Sequence, residues 1–63
     1  MEKFVERLII EKHELELRHD KLIAIVNSSL WDTFEPNEKS LLSIQLRAMQ
    51  TYLECLEQRL KKY

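Results

Sequence analysis

Pro36-Asn37-Glu38-Lys39-Ser40-Leu41-Leu42-Ser43-Ile44-Gln45-Leu46-Arg47-Ala48-Met49-Gln50-Thr51-Tyr52-Leu53-Glu54-Cys55-Leu56-Glu57-Gln58-Arg59-Leu60 is the stretch whose reading decides the fold. Leu42, Leu46, Met49, Leu53, Leu56 and Leu60 alternate steps of four and three along it. That spacing is the heptad seam of a helix that packs on another helix. Pro36 suits the first helical position, where it loses no hydrogen bond and its fixed φ favours entry. Glu38, three residues after Glu35, suits a capping box that reaches back to the terminus. At the other end Arg59, Lys61 and Lys62 place positive charge at the negative pole of the helix dipole.

Upstream, the segment from Met1 to about Val26 has no proline or glycine and is rich in helix-compatible Glu, Lys, Leu and Ile. Met1, Val5, Leu8, Leu15, Leu22 and Val26, flanked by Phe4 and Ile23, fall on one side at about 100° per residue. Glu2 and Glu6 suit the positive end of the dipole. Asn27-Ser28-Ser29 breaks the pattern, and Leu30-Trp31-Asp32-Thr33-Phe34 has no clean period. The chain therefore reads as a single all-α domain, with helices over about residues 2–27 and 36–62 and a turn over about 28–35. Helices of about 26 residues, about 39 Å long, joined by so short a connection predict an antiparallel hairpin. Leu30, Trp31 and Phe34 are expected to fold over its open end as a plug, with Trp31 a lid on the core rather than a stacking surface for a ligand.

Composition removes several function classes. Sixty-three residues hold one small domain, and one cysteine makes neither a disulfide framework nor a Cys-based zinc site. No apolar run approaches the roughly 20 residues needed to span a bilayer, and the charged first ten residues predict no signal peptide. With no glycine there is no Walker or dinucleotide-type phosphate loop. A net charge of −1 argues against a nucleic-acid polymer as partner. A cytoplasmic setting with no membrane association is the expectation.

The predicted hairpin is too greasy for one interface. Its second helix carries a further line, Leu41, Ile44, Ala48, Tyr52 and Cys55, which widens the apolar arc to about 200° where one core-facing stripe needs about 100°. Ile10, Leu17 and Ala24 form another line on the first helix, away from its seam. So short a chain buries too little surface to be comfortable alone, which predicts a symmetric homo-oligomer.

Polar residues on these arcs are the informative ones. Lys12 and His19 fall on the apolar side of the first helix, and Gln45, Tyr52 and Arg59 recur at sevens on the second. Unpartnered polar groups are costly to bury, so such residues need a reason. One reading is mutual satisfaction at interfaces, with Gln45 or Tyr52 setting register and the cations reaching the rim. The other is a ligand pocket between subunits, with lysine and arginine for phosphate, Tyr52 for stacking and Gln45 for a base edge.

Other chemistries are weaker. His13 and His19 sit about 120° apart on a helix and cannot chelate one metal as an i, i+4 pair does. His19 with Glu16 gives only two ligands and reads as an exposed pair. Cys55 reads as a small buried hydrophobe. Glu11, Glu14 and Asp20 read as solvated surface, with Glu14 and Arg18 suited to an i, i+4 ion pair. No catalytic constellation, metal site or cofactor is expected, and an enzyme is not.

One resemblance adds to this. Leu41-Leu42, Gln45, Met49, Tyr52, Leu53 and Arg59, with Phe4-Val5-Glu6-Arg7-Leu8, Glu11, Glu14-Leu15, Lys21-Leu22 and the turn Ser29 to Phe34, resemble small proteins of crAss-like and other tailed phages. These are similar to the helical-hairpin domain of the phage sponges that defeat CBASS and Thoeris immunity. The resemblance covers nearly the whole chain through motifs of moderate specificity. Gln45 and Met49 match the second-helix pattern; Leu53 stands where that pattern has a basic residue, and Arg59 follows a turn and a half later. The resemblance implies a helical oligomer in the infected host's cytosol that sequesters a cyclic di- or trinucleotide or a cyclic ADP-ribose derivative without cleaving it. Arg59, Lys12 and Lys21 are then the phosphate candidates, Tyr52 the stacking residue and Gln45 the base-edge reader, with His19 in reserve. Lys21 lies off the seam and also reads as a plain solvated lysine. A protein-interaction or purely structural phage module is the rival reading.

Overall fold

With no glycine in the chain and no positive φ among the described residues, the reversal between the helices is built from right-handed and extended backbone alone. The computed structural model describes residues 2–63, so the seam position expected of Met1 lies outside the described residues. Helix α1 runs Lys3–Val26 and helix α2 runs Pro36–Leu60, with a short 3-10 helix, Ser29–Thr33, between them.

Helix α1 opens on the extended Glu2, whose carbonyl accepts from the amides of Val5 and Glu6 at 3.1 Å each. It closes where the Asn27 amide donates to Ile23 O at 3.1 Å. Hydroxyls then hold the turn: Ser28 Oγ donates to Ile25 O at 2.7 Å and Thr33 Oγ1 to Leu30 O at 2.6 Å. Such local bonds are what serine and threonine offer in place of helix continuation. Phe34 and Glu35 are extended, with ψ of 146° and 153°. For Glu35 this is the conformation that a following proline imposes. Pro36 then starts α2 as expected.

The capping box does not form: neither helix has a side-chain cap bond at its N-terminus. Glutamate is too long to fold neatly onto the N2 or N3 amide, a role that the shorter Asp or Ser fills. Glu35→Asp is therefore expected to stabilise the hairpin by about 0.5–1 kcal/mol. Thermal denaturation followed by circular dichroism checks this; an unchanged or lower midpoint would mean that another group already satisfies those amides.

The seam has formed where the heptads place it. Leu8, Leu15, Leu22 and Leu56 are buried, Leu56 completely. Met49, Leu53 and Leu60 pack against the cluster of Leu8, Leu15 and Leu56. The helices are antiparallel: Phe4, near the start of α1, meets Tyr63, at the end of the chain, edge to face at 5.9 Å. At the turn the 3-10 helix packs back on α1, and Trp31 meets Phe34 edge to face at 6.0 Å. These two rings are half-buried, but the expected third member of the plug, Leu30, is 49% exposed. A 3-10 turn spaces residues about 120° apart, so the three side chains cannot all point inward.

The hairpin is a rod of 45 × 15 × 13 Å. Its accessible surface is 5068 Å², against about 4,300 Å² for a compact monomer of its mass. Its radius of gyration is 14.5 Å, against about 10.6 Å for a globular chain of this length. The difference follows from the rod shape, and part of the surface it leaves in water is apolar. Ile10 and Leu17 on the back of α1, and Leu41 and Ile44 on the flank of α2, are each at least half exposed. No described helix is long and apolar enough to cross a membrane.

Candidate functional site

The seam of α1 alternates two heptad positions. Leu8, Leu15 and Leu22 fill one; Val5, Lys12, His19 and Val26 fill the other. Two polar side chains thus enter the edge of the core. Lys12 is half-buried and reaches along its own helix to Glu16, Nζ to Oε1 at 3.9 Å. This is the i, i+4 pair that forms, in place of the Glu14–Arg18 pair expected from spacing. A pair this open contributes about 0.3–0.5 kcal/mol at most.

His19 departs further from expectation. Its side chain is only 18% exposed, and it pairs with Asp20 rather than Glu16, Nδ1 to Oδ1 at 3.2 Å. Nε2 is buried with no hydrogen-bond partner. When Nδ1–H donates to the carboxylate, Nε2 is a bare acceptor facing the seam. His19→Leu is therefore expected to stabilise the hairpin by about 1 kcal/mol, because it removes an orphaned polar atom and fills a heptad position with leucine. Urea denaturation at neutral pH measures the effect. A destabilised variant would show that Nε2 finds its partner in the assembled protein.

On α2, Gln45, Tyr52 and Arg59 are all exposed and lie along one face. Steps of seven residues separate neighbours by about 10.5 Å. Arg59 is placed by the hairpin closure itself: its guanidinium carbon lies 5.7 Å from the Phe4 ring centroid, beside Tyr63. An exposed cation–π contact of this kind is worth about 0.5–1 kcal/mol. A shallow depression next to Arg59 is lined by Thr51, Glu54, Cys55 and Gln58. Cys55 is exposed there, not buried as its heptad neighbours suggested, because α1 covers the side that carries Leu42, Met49 and Leu56 instead.

The five candidates do not converge within one chain. Lys12 belongs to the hairpin seam, Lys21 is exposed on α1, and the other three line the flank of α2. Among the described residues no group of three His, Cys, Asp or Glu side chains is arranged to hold a metal ion. What the flank of α2 offers is a ring face, an amide and a guanidinium.

A family model described as Sequestin matches residues 2–62. The chain belongs to the Sequestin family. The name fits the sequestering, sponge-like phage proteins whose pattern the sequence resembles. No curated protein and no solved structure matches the chain.

In this Sequestin-family hairpin, Arg59 has neighbours that sequence reasoning did not pair with it: Phe4 under the guanidinium, and Thr51, Glu54 and Gln58 around the depression. Phe4 meets Arg59 only because the helices are antiparallel and nearly equal in length. Pairing the first heptad of α1 with the last heptad of α2 was the signal that would have found it.

Proposed function

We propose that the protein is a non-catalytic sponge: a homo-oligomer that binds a cyclic di- or trinucleotide or a cyclic ADP-ribose derivative and so withholds an immune second messenger in the infected bacterial cytosol. The observation that carries this reading is a family match that spans both helices and the turn, to a family whose name speaks of sequestration. That name also points to binding rather than catalysis. The exposed flank of α2 supports the chemistry. Tyr52 offers a ring for stacking, Gln45 a donor and acceptor for a base edge, and Arg59 a planar fork for phosphate. Lys12 and Lys21 add charge from α1.

In a single chain these groups are hydrated and spread along a rod, so each contact with a ligand is individually weak. Assembly brings copies of them together and removes water, which strengthens every charged contact. The mechanism is stoichiometric capture, with no bond made or broken.

The test is direct. Protein purified from cells that make the messenger is heated and the supernatant examined by mass spectrometry, and calorimetry is run against a panel of cyclic oligonucleotides and cyclic ADP-ribose derivatives. A released or bound cyclic nucleotide is the expected result; an empty supernatant with no heat of binding across the panel removes the sponge. A second reading, a protein-interaction or structural module of a phage, is favoured by one observation, the half-exposed Leu41 and Ile44 on the flank of α2. It predicts oligomers or hetero-complexes with no retained small molecule.

A further inference from the structure

A line of aromatic and charged residues flanks the seam of α1 on one side. Phe4, Glu11 and Arg18 each precede by four a buried leucine of that seam, Leu8, Leu15 and Leu22. On α2, Gln45 and Tyr52 stand in the same relation to Met49 and Leu56, and Arg59 continues their line at seven. In helices that pack by heptads these are positions beside the seam. Reversing one helix about an axis across the seam keeps its flank on the same side, so in an antiparallel pair the two lines run together. One contact fixes which residues face each other: the Arg59 guanidinium carbon lies 5.7 Å from the Phe4 ring centroid. Seven residues on from Phe4 and seven back from Arg59, Glu11 faces Tyr52; one heptad further, Arg18 faces Gln45. The core keeps the same register, since Leu8 and Leu15 cluster with Leu56, and Met49 packs against them.

We infer that Phe4, Glu11 and Arg18 of α1 and Gln45, Tyr52 and Arg59 of α2 line one groove along the hairpin, in which Arg18 is a second phosphate-binding residue for a nucleotide ligand. Successive levels of the groove are about 10.5 Å apart. Tyr52 stands at the middle level, with an arginine one level away in each direction. A nucleotide whose base stacks on Tyr52 therefore meets a guanidinium whichever way its phosphate extends, and a ligand with two phosphates engages both. Each arginine is exposed, and among the described residues neither takes part in an ion pair. Their planar forks are free for an anion.

The groove rests on the sponge reading and deepens it, because α1 now supplies a cation on the same side as Tyr52. Lys12 occupies the seam itself and pairs with Glu16, whereas Arg18 stands on the groove line. Glu11, half-buried at the level of Tyr52, divides the groove by chemistry. A carboxylate only accepts hydrogen bonds, so it repels phosphate at that level and suits the N–H donors of a base edge. The result is a level for a base between two levels for phosphate.

Calorimetry of the full chain with cyclic di-AMP, cyclic di-GMP, cyclic triadenylate and cyclic ADP-ribose tests the groove. With whichever of these the wild type binds, Arg18→Ala is expected to weaken affinity by at least about tenfold, at unchanged melting temperature and assembled mass. Arg47→Ala removes the same charge from an exposed position about 200° round the helix from Gln45, and is expected to leave affinity unchanged. Arg18→Lys is expected to fall between wild type and alanine, because it keeps the charge without the fork. Should the alanine variant fold poorly, Arg18→Gln gives the same comparison with part of the stem retained. Full binding by Arg18→Ala alongside lost binding by Arg59→Ala overturns the groove and leaves the sponge reading standing. An equal loss in Arg47→Ala assigns the effect to net charge and also overturns it. A wild type that binds none of the four removes the sponge reading, and the groove with it.

Discussion

Leu56→Ala is expected to unfold the isolated hairpin at ambient temperature. Leu56 is the one described side chain with no exposure at all, and it clusters with Leu8 and Leu15, with Met49, Leu53 and Leu60 packed around them. Truncating a buried leucine costs about 2–5 kcal/mol, through lost burial and through the cavity left behind. A core in a chain below about 70 residues rarely supplies more than 3–5 kcal/mol in total. One substitution therefore removes most of the net stability. The expected result is loss of the cooperative thermal transition in circular dichroism, while Ile44→Ala, at an exposed site, keeps a transition at low protein concentration. If Leu56→Ala melts cooperatively near the wild-type temperature, the hairpin's stability resides in contacts between copies rather than in its own seam.

The second large effect concerns the ligand. Arg59→Ala is expected to abolish the proposed capture of a cyclic nucleotide, with the dissociation constant rising by about a hundredfold or more. A charge-assisted bidentate contact to phosphate, once desolvated, is worth several kcal/mol, and each 1.4 kcal/mol is a factor of ten. The fold should barely register the change, since Arg59 is exposed and its only described partner is the Phe4 ring. Calorimetry with the messenger and light scattering of the unliganded protein give the two readouts. Lost binding at unchanged assembled mass assigns Arg59 to recognition; collapse to a smaller species assigns it to architecture. Arg59→Lys separates charge from geometry, because lysine keeps the charge but not the planar fork.

The helices and their shared seam were legible because heptad spacing is a local, repeated signal. Leu8, Leu15 and Leu22 on one arm of the hairpin, and Leu42 to Leu60 on the other, each announce a face without reference to a partner. The surplus line from Leu41 to Cys55 was legible for the same reason. Lys12 and His19 were legible on the apolar side of α1, whereas Cys55 was expected to be buried and is exposed. A helical arc of about 200° states that two faces are apolar, but not which of them a neighbouring helix covers. Leu30 was misread because the turn adopts 3-10 spacing, which the stretch from Ser29 to Phe34 does not advertise. The binding-face candidates were found as residue types on one side of α2. Their separation from Lys12 and Lys21 depends on the distance between the two helices and on which sides they present, and neither is written in a one-dimensional period.

Taken alone, the amino-acid order determined two amphipathic helices, a reversal near Asn27 to Glu35 and more apolar surface than one interface uses, because periodicity and the placement of proline act through neighbours a few residues apart. Tertiary structure decided the rest: that Leu56 rather than Cys55 is enclosed, that His19 loses a hydrogen-bond partner, and that Phe4 comes under Arg59. Those outcomes depend on the rotation of each helix about its own axis, and only the packing of one helix against the other sets that angle.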